Sequence, residues 1–202
     1  MILKTFAGGI DPASVGLSQN ETRFRLGGYA GHDDITDGLI KKCEKTLFSA
    51  AAPRWCAVLT EVSYPSEDKV ELGFGEIHSR DLYKNLYPCR LAYVFALTLG
   101  SGVDRALRRL SKTSEAEFYV FDALSSAYAE DICDECERLL KGEGKTRPRY
   151  SPGYGDVALE TQRPLLSYIN AQRLTGITLS DACLMSPSKS ITAIMGVNNE
   201  DT

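Results

Sequence analysis

The chain has 202 residues, 43% of them hydrophobic and 25% charged, with a formal net charge of −4. That is enough apolar material for one folded domain, and the negative balance argues against nucleic acid, whose phosphates want a basic surface. No stretch approaches the roughly 20 apolar residues that cross a bilayer, so no membrane partner is expected. Met1 to Ala7 is too short and too poorly built for a secretion signal, and the expected compartment is the cytoplasm. Six cysteines in such a chain read as free thiols rather than a disulfide framework.

Residues 1–31 are rich in Gly, Ser and polar side chains. They are expected to form an extended N-terminal arm with a short strand or helix around Arg23–Leu26, leaving residues 32–202 as the folded domain. Gly27-Gly28-Tyr29 reads as a turn. His32-Asp33-Asp34-Ile35-Thr36-Asp37-Gly38 invites comparison with a calcium loop, and Glu44 falls where such a loop carries its last ligand. Ile35, however, stands where the third position needs oxygen. Asp33 or Asp34 reads better as the cap of a helix to about Ala51, with Ile35, Leu39, Ile40, Cys43 and Leu47 on its apolar face.

Trp55 to Tyr64 reads as a strand and Val70 to Ile77 as its hairpin partner across Pro65–Asp68. Ser79 and Asp81 start a short helix through Leu86. Leu91 to Leu99 is almost unbroken apolar sequence, which predicts a strand buried on both faces. Gly100-Ser101-Gly102-Val103-Asp104 then opens a helix to about Leu110. A strand, a Gly-x-Gly turn and a helix N-terminus can hold a phosphate, but Arg105 stands where the third glycine would be and no Gly-Lys-Thr follows.

Glu115 to Lys141 has the period of one long helix. Phe118, Phe121, Leu124, Tyr128, Ile132, Cys136 and Leu139 form its core stripe. Glu130 lies on nearly the opposite side, beside Ala116, Ala123, Ala127 and Asp134. Small residues one turn before a carboxylate leave room for a ligand or a second packed element, although a solvated acid is the simpler reading. Cys133-Asp134-Glu135-Cys136 has the C-x-x-C form but no second pair to complete a metal site. Beyond a stop at Gly142–Lys145, Thr161 is expected to cap a helix ending near Arg173, with Pro164 in its first turn. Ala182–Met185 and Ser190–Val197 read as a strand pair around Pro187-Ser188. The mixture points to a two-layer α+β domain.

Arg149-Tyr150-Ser151-Pro152-Gly153-Tyr154 is the stretch best suited to a small ligand. A guanidinium offers a planar fork of donors for a carboxylate or phosphate. Gly153 permits close backbone approach, and the tyrosines offer flat faces that also suit a cation. The plainer alternative is a surface turn between helices with its tyrosines packed on the core.

This segment resembles the Arg-x-x-Pro-Gly-Tyr signature of the activation (reactivation) domain of cobalamin-dependent methionine synthase. Ala123-Leu124-Ser125-Ser126-Ala127-Tyr128-Ala129-Glu130, Thr175-Gly176-Ile177-Thr178-Leu179-Ser180-Asp181 and Met185-Ser186-Pro187-Ser188-Lys189-Ser190-Ile191-Thr192-Ala193 agree with that family too. The similarity runs from about Leu91 to Val197. The resemblance implies a single α+β domain with a twisted, mainly antiparallel sheet and long helices packed on it, here free-standing, without catalytic and cobalamin modules. It also implies an S-adenosylmethionine site made by Glu130, Arg149, Ser151, Pro152, Gly153 and Tyr154. Arg149 would grip the ligand carboxylate, and Glu130 would favour the positive end.

The implied partner is a cobalamin-binding methionine synthase lacking its own activation domain, which carries the cobalamin, with flavodoxin or ferredoxin as reductant. Two departures stand out: an additional N-terminal acid of the family has no assignable counterpart, and a tyrosine-bearing segment after the last strand is missing. His32 and His78 sit in no motif, and no nucleophile–base pair or metal centre can be read, so no catalytic or metal residue is assigned. The corrinoid signature Asp-x-His-x-x-Gly is absent, Ala30 standing at its Asp. Two alternatives stay open: a docking module for a corrinoid protein that does not bind S-adenosylmethionine, and an independent enzyme on another small substrate.

Overall fold

The computed structural model describes residues 1–27, 34–141 and 145–198. In chain order it has β1 (Ile2–Gly9), a 3-10 turn at Pro12–Ser14, α1 (Gln19–Arg25), α2 (Asp34–Ala50) and β2 (Arg54–Glu61). Three short strands follow, β3 (Ser63–Ser66), β4 (Lys69–Leu72) and β5 (Gly75–His78), then α3 (Arg80–Leu86), β6 (Leu91–Thr98), α4 (Ser101–Thr113) and α5 (Glu115–Lys141). The last third holds α6 (Gln162–Tyr168), α7 (Ala171–Thr175), β7 (Thr178–Leu179), β8 (Met185–Ser186) and β9 (Ser190–Val197). Among the described residues, no helix is long and apolar enough to cross a membrane.

The main sheet has the order β1-β2-β6-β9, every pair antiparallel. Successive side chains of a strand point to opposite faces, and both faces of this sheet are covered. On one face Trp55, Ala57, Phe95, Leu97, Ala193 and Met195 join Ile40, Leu47, Val103, Leu107, Phe121 and Ile132 from α2, α4 and α5. On the other, Cys56, Val58, Val94, Ala96 and Ile194 join Leu82, Leu86, Leu165, Ile169 and Ile177 from the α3 and α6–α7 side. Fully buried Phe95, Phe121 and Leu124 each stabilise the fold by about 1.5–3 kcal/mol. The α+β class and the antiparallel sheet with long helices on it match expectation, but packing on both faces gives three layers instead of two.

Several local expectations need correction. The first residues are no loose arm. Ile2–Gly9 pairs along β2 as the edge strand, and Gln19–Arg25 is helical, capped by the Ser18 hydroxyl, which accepts from the Glu21 amide. The expected boundary between residues 31 and 32, the turn at Gly28-Tyr29 and a cap at Asp33 lie outside the described residues, and Asp34, the other cap expected, is the first residue of α2. The strand expected over Trp55–Tyr64 divides: β2 joins the main sheet, while β3 pairs with β4 across the expected turn, Ser63 facing Glu71 and Ser66 facing Lys69, and β5 completes a separate antiparallel sheet as 70–77 folds back on itself.

The expected pair of 182–185 with 190–197 is also replaced, because β8 pairs with β7 and β9 with β6. The expected helix from Thr161 to Arg173 breaks at Asn170, whose φ of 55° is left-handed, and Thr161 makes no side-chain cap. Asn is among the few residues that tolerate that conformation.

The long helix α5 matches expectation in extent, but it is buried almost all round at its middle. Ala123 and Ala127 are buried, and a cavity of about 590 Å³ lined by Leu26, Tyr119, Ala123 and Ser126 remains beside the first of them. Leu139 is 46% exposed and Leu140 takes its place in the core. The N-terminal segment lies across this helix: Tyr128 donates its hydroxyl proton to the Pro12 carbonyl at 2.7 Å, and the Ser18 amide donates to Asp131 at 2.9 Å.

Candidate functional site

Residues 145–150 are laid along the free edge of β9. The Arg147 amide donates to the Gly196 carbonyl at 2.8 Å, Tyr150 and Ile194 exchange both backbone bonds at 2.9 and 2.8 Å, and Asn198 donates to the Lys145 carbonyl at 3.0 Å. Extended backbone sends neighbouring side chains to opposite sides. Tyr150 therefore enters the core on the α3–α6 side, and Arg149 turns to the other face, where α5 runs.

There the guanidinium meets three carboxylates. Glu130, Asp134 and Glu137 stand four and three residues apart, the spacing that puts side chains on one helix face. Arg149 Nη1 donates to Asp134 Oδ1 at 2.6 Å and to Glu137 Oε2 at 3.3 Å, and Nη2 lies 3.5 Å from Glu130 Oε2. The side chains differ in exposure: 69% for Asp134, 45% for Glu130, 24% for Arg149 and 16% for Glu137. Glu137 is further held by Lys141 Nζ at 2.5 Å and accepts from the Thr146 hydroxyl at 3.3 Å. Burial works against the charged guanidinium, but the Asp134 and Glu137 carboxylates outweigh it, and the Arg149 pKa is raised. Three carboxylates against Arg149 and Lys141 leave the patch negative.

After Tyr150 the chain makes a tight loop. Gly153, with φ of 84°, donates to the Val157 carbonyl at 2.9 Å, and the Tyr154 amide donates to the Ser151 carbonyl at 3.1 Å. Gly153 is at a left-handed position, which strains any residue with a Cβ. Pro152 and Val157 are buried, and Ser151 is half-buried. Asp156 pins the loop to the start of α3, accepting from the Ser79 hydroxyl and from the Arg80 amide at 2.8 Å. Those bonds, the Ser79 one foremost, hold the Asp156 carboxyl below its ordinary pKa. Tyr154 is 69% exposed and its ring meets that of Tyr150 edge-on, with centroids 5.5 Å apart. The Tyr150 hydroxyl is buried and has no hydrogen-bond partner among the described residues, and burial, then Asp81 and Asp156, raise its pKa.

Of the residues singled out from the sequence, Arg149 and Glu130 converge, whereas Ser151, Pro152, Gly153 and Tyr154 form the loop that follows in the chain, tied to the start of α3 and to Tyr150. Glu137 is the addition, and its spacing from Glu130 carries the signal. Arg149 and Glu130 touch each other directly, so a ligand held between them has to part the pair.

The C-x-x-C thiols face the core. Burial pushes Cys136 up to about 12 and Cys133 higher still, which makes both poor nucleophiles. The Gly-x-Gly turn is explained by packing: a Cβ on Gly102 would collide with the Ala50 carbonyl oxygen, and Gly100 has φ of 88° with the Ala52 carbonyl oxygen 3.2 Å from its Cβ position.

No family model and no curated protein matches this sequence. Among solved structures, the crystal structure of the MetH reactivation domain bound to AdoHcy matches with a TM-score of 0.72 and 13% sequence identity. The match covers 100% of this chain and 80% of that one. At this identity the likeness is one of architecture: the chain has the fold of the MetH reactivation domain.

Proposed function

We propose that this chain binds S-adenosylmethionine and presents it to a cobalamin-dependent methionine synthase for reductive remethylation of oxidised cobalamin. The observation that carries the reading is the meeting of Arg149 and Glu130 at the sheet edge, in the fold of a domain whose structure holds AdoHcy. AdoHcy is S-adenosylmethionine without its methyl group, so one pocket shape serves both. In the proposed pose the ligand carboxylate takes donors from Arg149, and Glu130 faces the ammonium and sulfonium end. The negative patch along α5 favours that positive centre. The exposed face of Tyr154 covers the ligand. Gly153 and Tyr154 have already committed their amides within the loop, so adenine would meet carbonyl oxygens and ring surface near Ser151–Gly153.

In this reading the methyl transfer takes place at the partner's cobalamin. The chain's part is to hold the ligand so that the methyl faces the partner, which lowers the entropic cost of the encounter. Cobalamin, carried by a synthase lacking its own activation domain, supplies the methyl acceptor, and a flavodoxin or ferredoxin supplies the electron.

One observation favours a second reading. Arg149 is already engaged by three acids, which suits a structural tie between α5 and the sheet edge in a docking module that binds no S-adenosylmethionine. Calorimetric titration with S-adenosylmethionine separates the two. The parent is expected to bind, and Arg149→Ala to bind at least about ten-fold more weakly, as expected for losing hydrogen bonds to a charged group. No heat from the folded parent at millimolar ligand would favour the docking module.

A further inference from the structure

The three acids around Arg149 are not equivalent. Glu137 is almost enclosed and has Lys141 and Thr146 as further partners, so it holds the guanidinium from the buried side. Glu130 is the most distant, at 3.5 Å. Asp134 makes the shortest bond, 2.6 Å, yet is the most exposed, and Arg149 is its one hydrogen-bonding partner among the described residues. An incoming anion reaches the guanidinium from the solvent side, where Asp134 stands. Asp134 and a ligand carboxylate have the same charge, shape and donor requirement, and both need Arg149 Nη1.

We propose that Asp134 is a built-in substitute for the ligand carboxylate: it occupies Arg149 in the free protein and is displaced on binding, while Glu137 positions the guanidinium throughout. This rests on the proposed S-adenosylmethionine site and adds to it a competitor that sets affinity. Displacement costs little because an exposed ion pair is weak and Asp134 regains water, whereas Glu137 cannot leave without a charge stranded in a half-buried place. The exchange keeps Arg149 paired at every stage and leaves Asp134 released beside Glu130, so the face turned to the ligand's ammonium becomes more negative as the carboxylate docks. A ligand carrying both charges is therefore favoured over a simple carboxylate.

The test is calorimetric titration of the full chain with S-adenosylmethionine, using 5′-methylthioadenosine, which has no carboxylate, as the control ligand. Asp134→Asn keeps the side-chain shape on an exposed helix position and is expected to bind S-adenosylmethionine about two- to five-fold more tightly than the parent, the scale of an exposed ion pair. That gain should fade in about 1 M salt, where the Debye length is about 3 Å. Affinity for 5′-methylthioadenosine should not change. Glu137→Gln should weaken S-adenosylmethionine binding and spare 5′-methylthioadenosine, a selectivity that general loosening of the fold would not produce.

Binding by Asp134→Asn alone, with none by the parent, is the same effect in its extreme form. Equal or weaker binding by Asp134→Asn, with a parent that binds, overturns the competitor and leaves the proposed function standing. Absence of binding in parent and Asp134→Asn alike overturns the proposed function and the competitor with it.

Discussion

Asp131 shows how one side chain is set by its surroundings. It accepts from the Ser18 amide and so ties the N-terminal segment to α5, but burial raises its pKa from the ordinary value, with Asp134 and Glu21 adding to the rise. An acid raised in the folded state supports folding below its unfolded pKa and loses that support as pH rises through the folded value. At neutral pH its charge therefore works against the fold. Asp131→Asn keeps an acceptor for Ser18 and removes the charge. Urea denaturation should find it more stable than the parent at pH 7, with the difference shrinking toward pH 4. A variant less stable at pH 7 would show that the ionised bond to Ser18 outweighs burial. At this scale Arg149 and Glu130 come from the family resemblance, whereas Asp134 and Glu137 follow from helical spacing once Glu130 is fixed. The direction of Arg149 is set by pairing with β9, a contact that nothing within the segment itself encodes.

The elements meet through small residues. α4 begins where α2 ends, and Gly102 lies so close to the Ala50 carbonyl that any Cβ must push one helix away. Gly102→Ala should cost about 1–3 kcal/mol, the usual penalty for overfilling a packed contact. Gly38 offers the opposite case: it sits exposed within α2 with open space at its Cβ position. Gly38→Ala should stabilise the chain by about 0.5–1 kcal/mol through helix propensity. Urea denaturation of the pair checks both signs. The long elements are legible because their period repeats many times: α5 and the apolar run of β6 stand where their sequences place them. Partnership is not legible locally. Alternation marks β2 and the 70–77 stretch as strands, yet burial on two faces gives β2 to β6, and only the Ser63–Ser66 end of the first stretch joins 70–77 in a small separate sheet. The break at Asn170 is similarly hidden, since an Asn inside an apolar period carries no stop signal of its own.

Across the whole molecule, helices cover both faces of the main sheet, which leaves its two edges. One edge is β1. The other is lined by residues 145–150, which carry Arg149 to α5. Cavities lie elsewhere too, one of about 310 Å³ beside Arg163 and Ile177, one of about 740 Å³ between Met1 and Arg90 and one of about 590 Å³ between Arg25 and Asp122. None of these brings a guanidinium together with several carboxylates from a long helix. Mapping backbone amide shifts by NMR, with and without saturating S-adenosylmethionine, decides most directly among these places. Shifts should concentrate at residues 149–157 and along Glu130–Glu137, leaving these three cavities undisturbed. Shifts confined to any of the three, or none at saturating ligand, would contradict a binding site at Arg149.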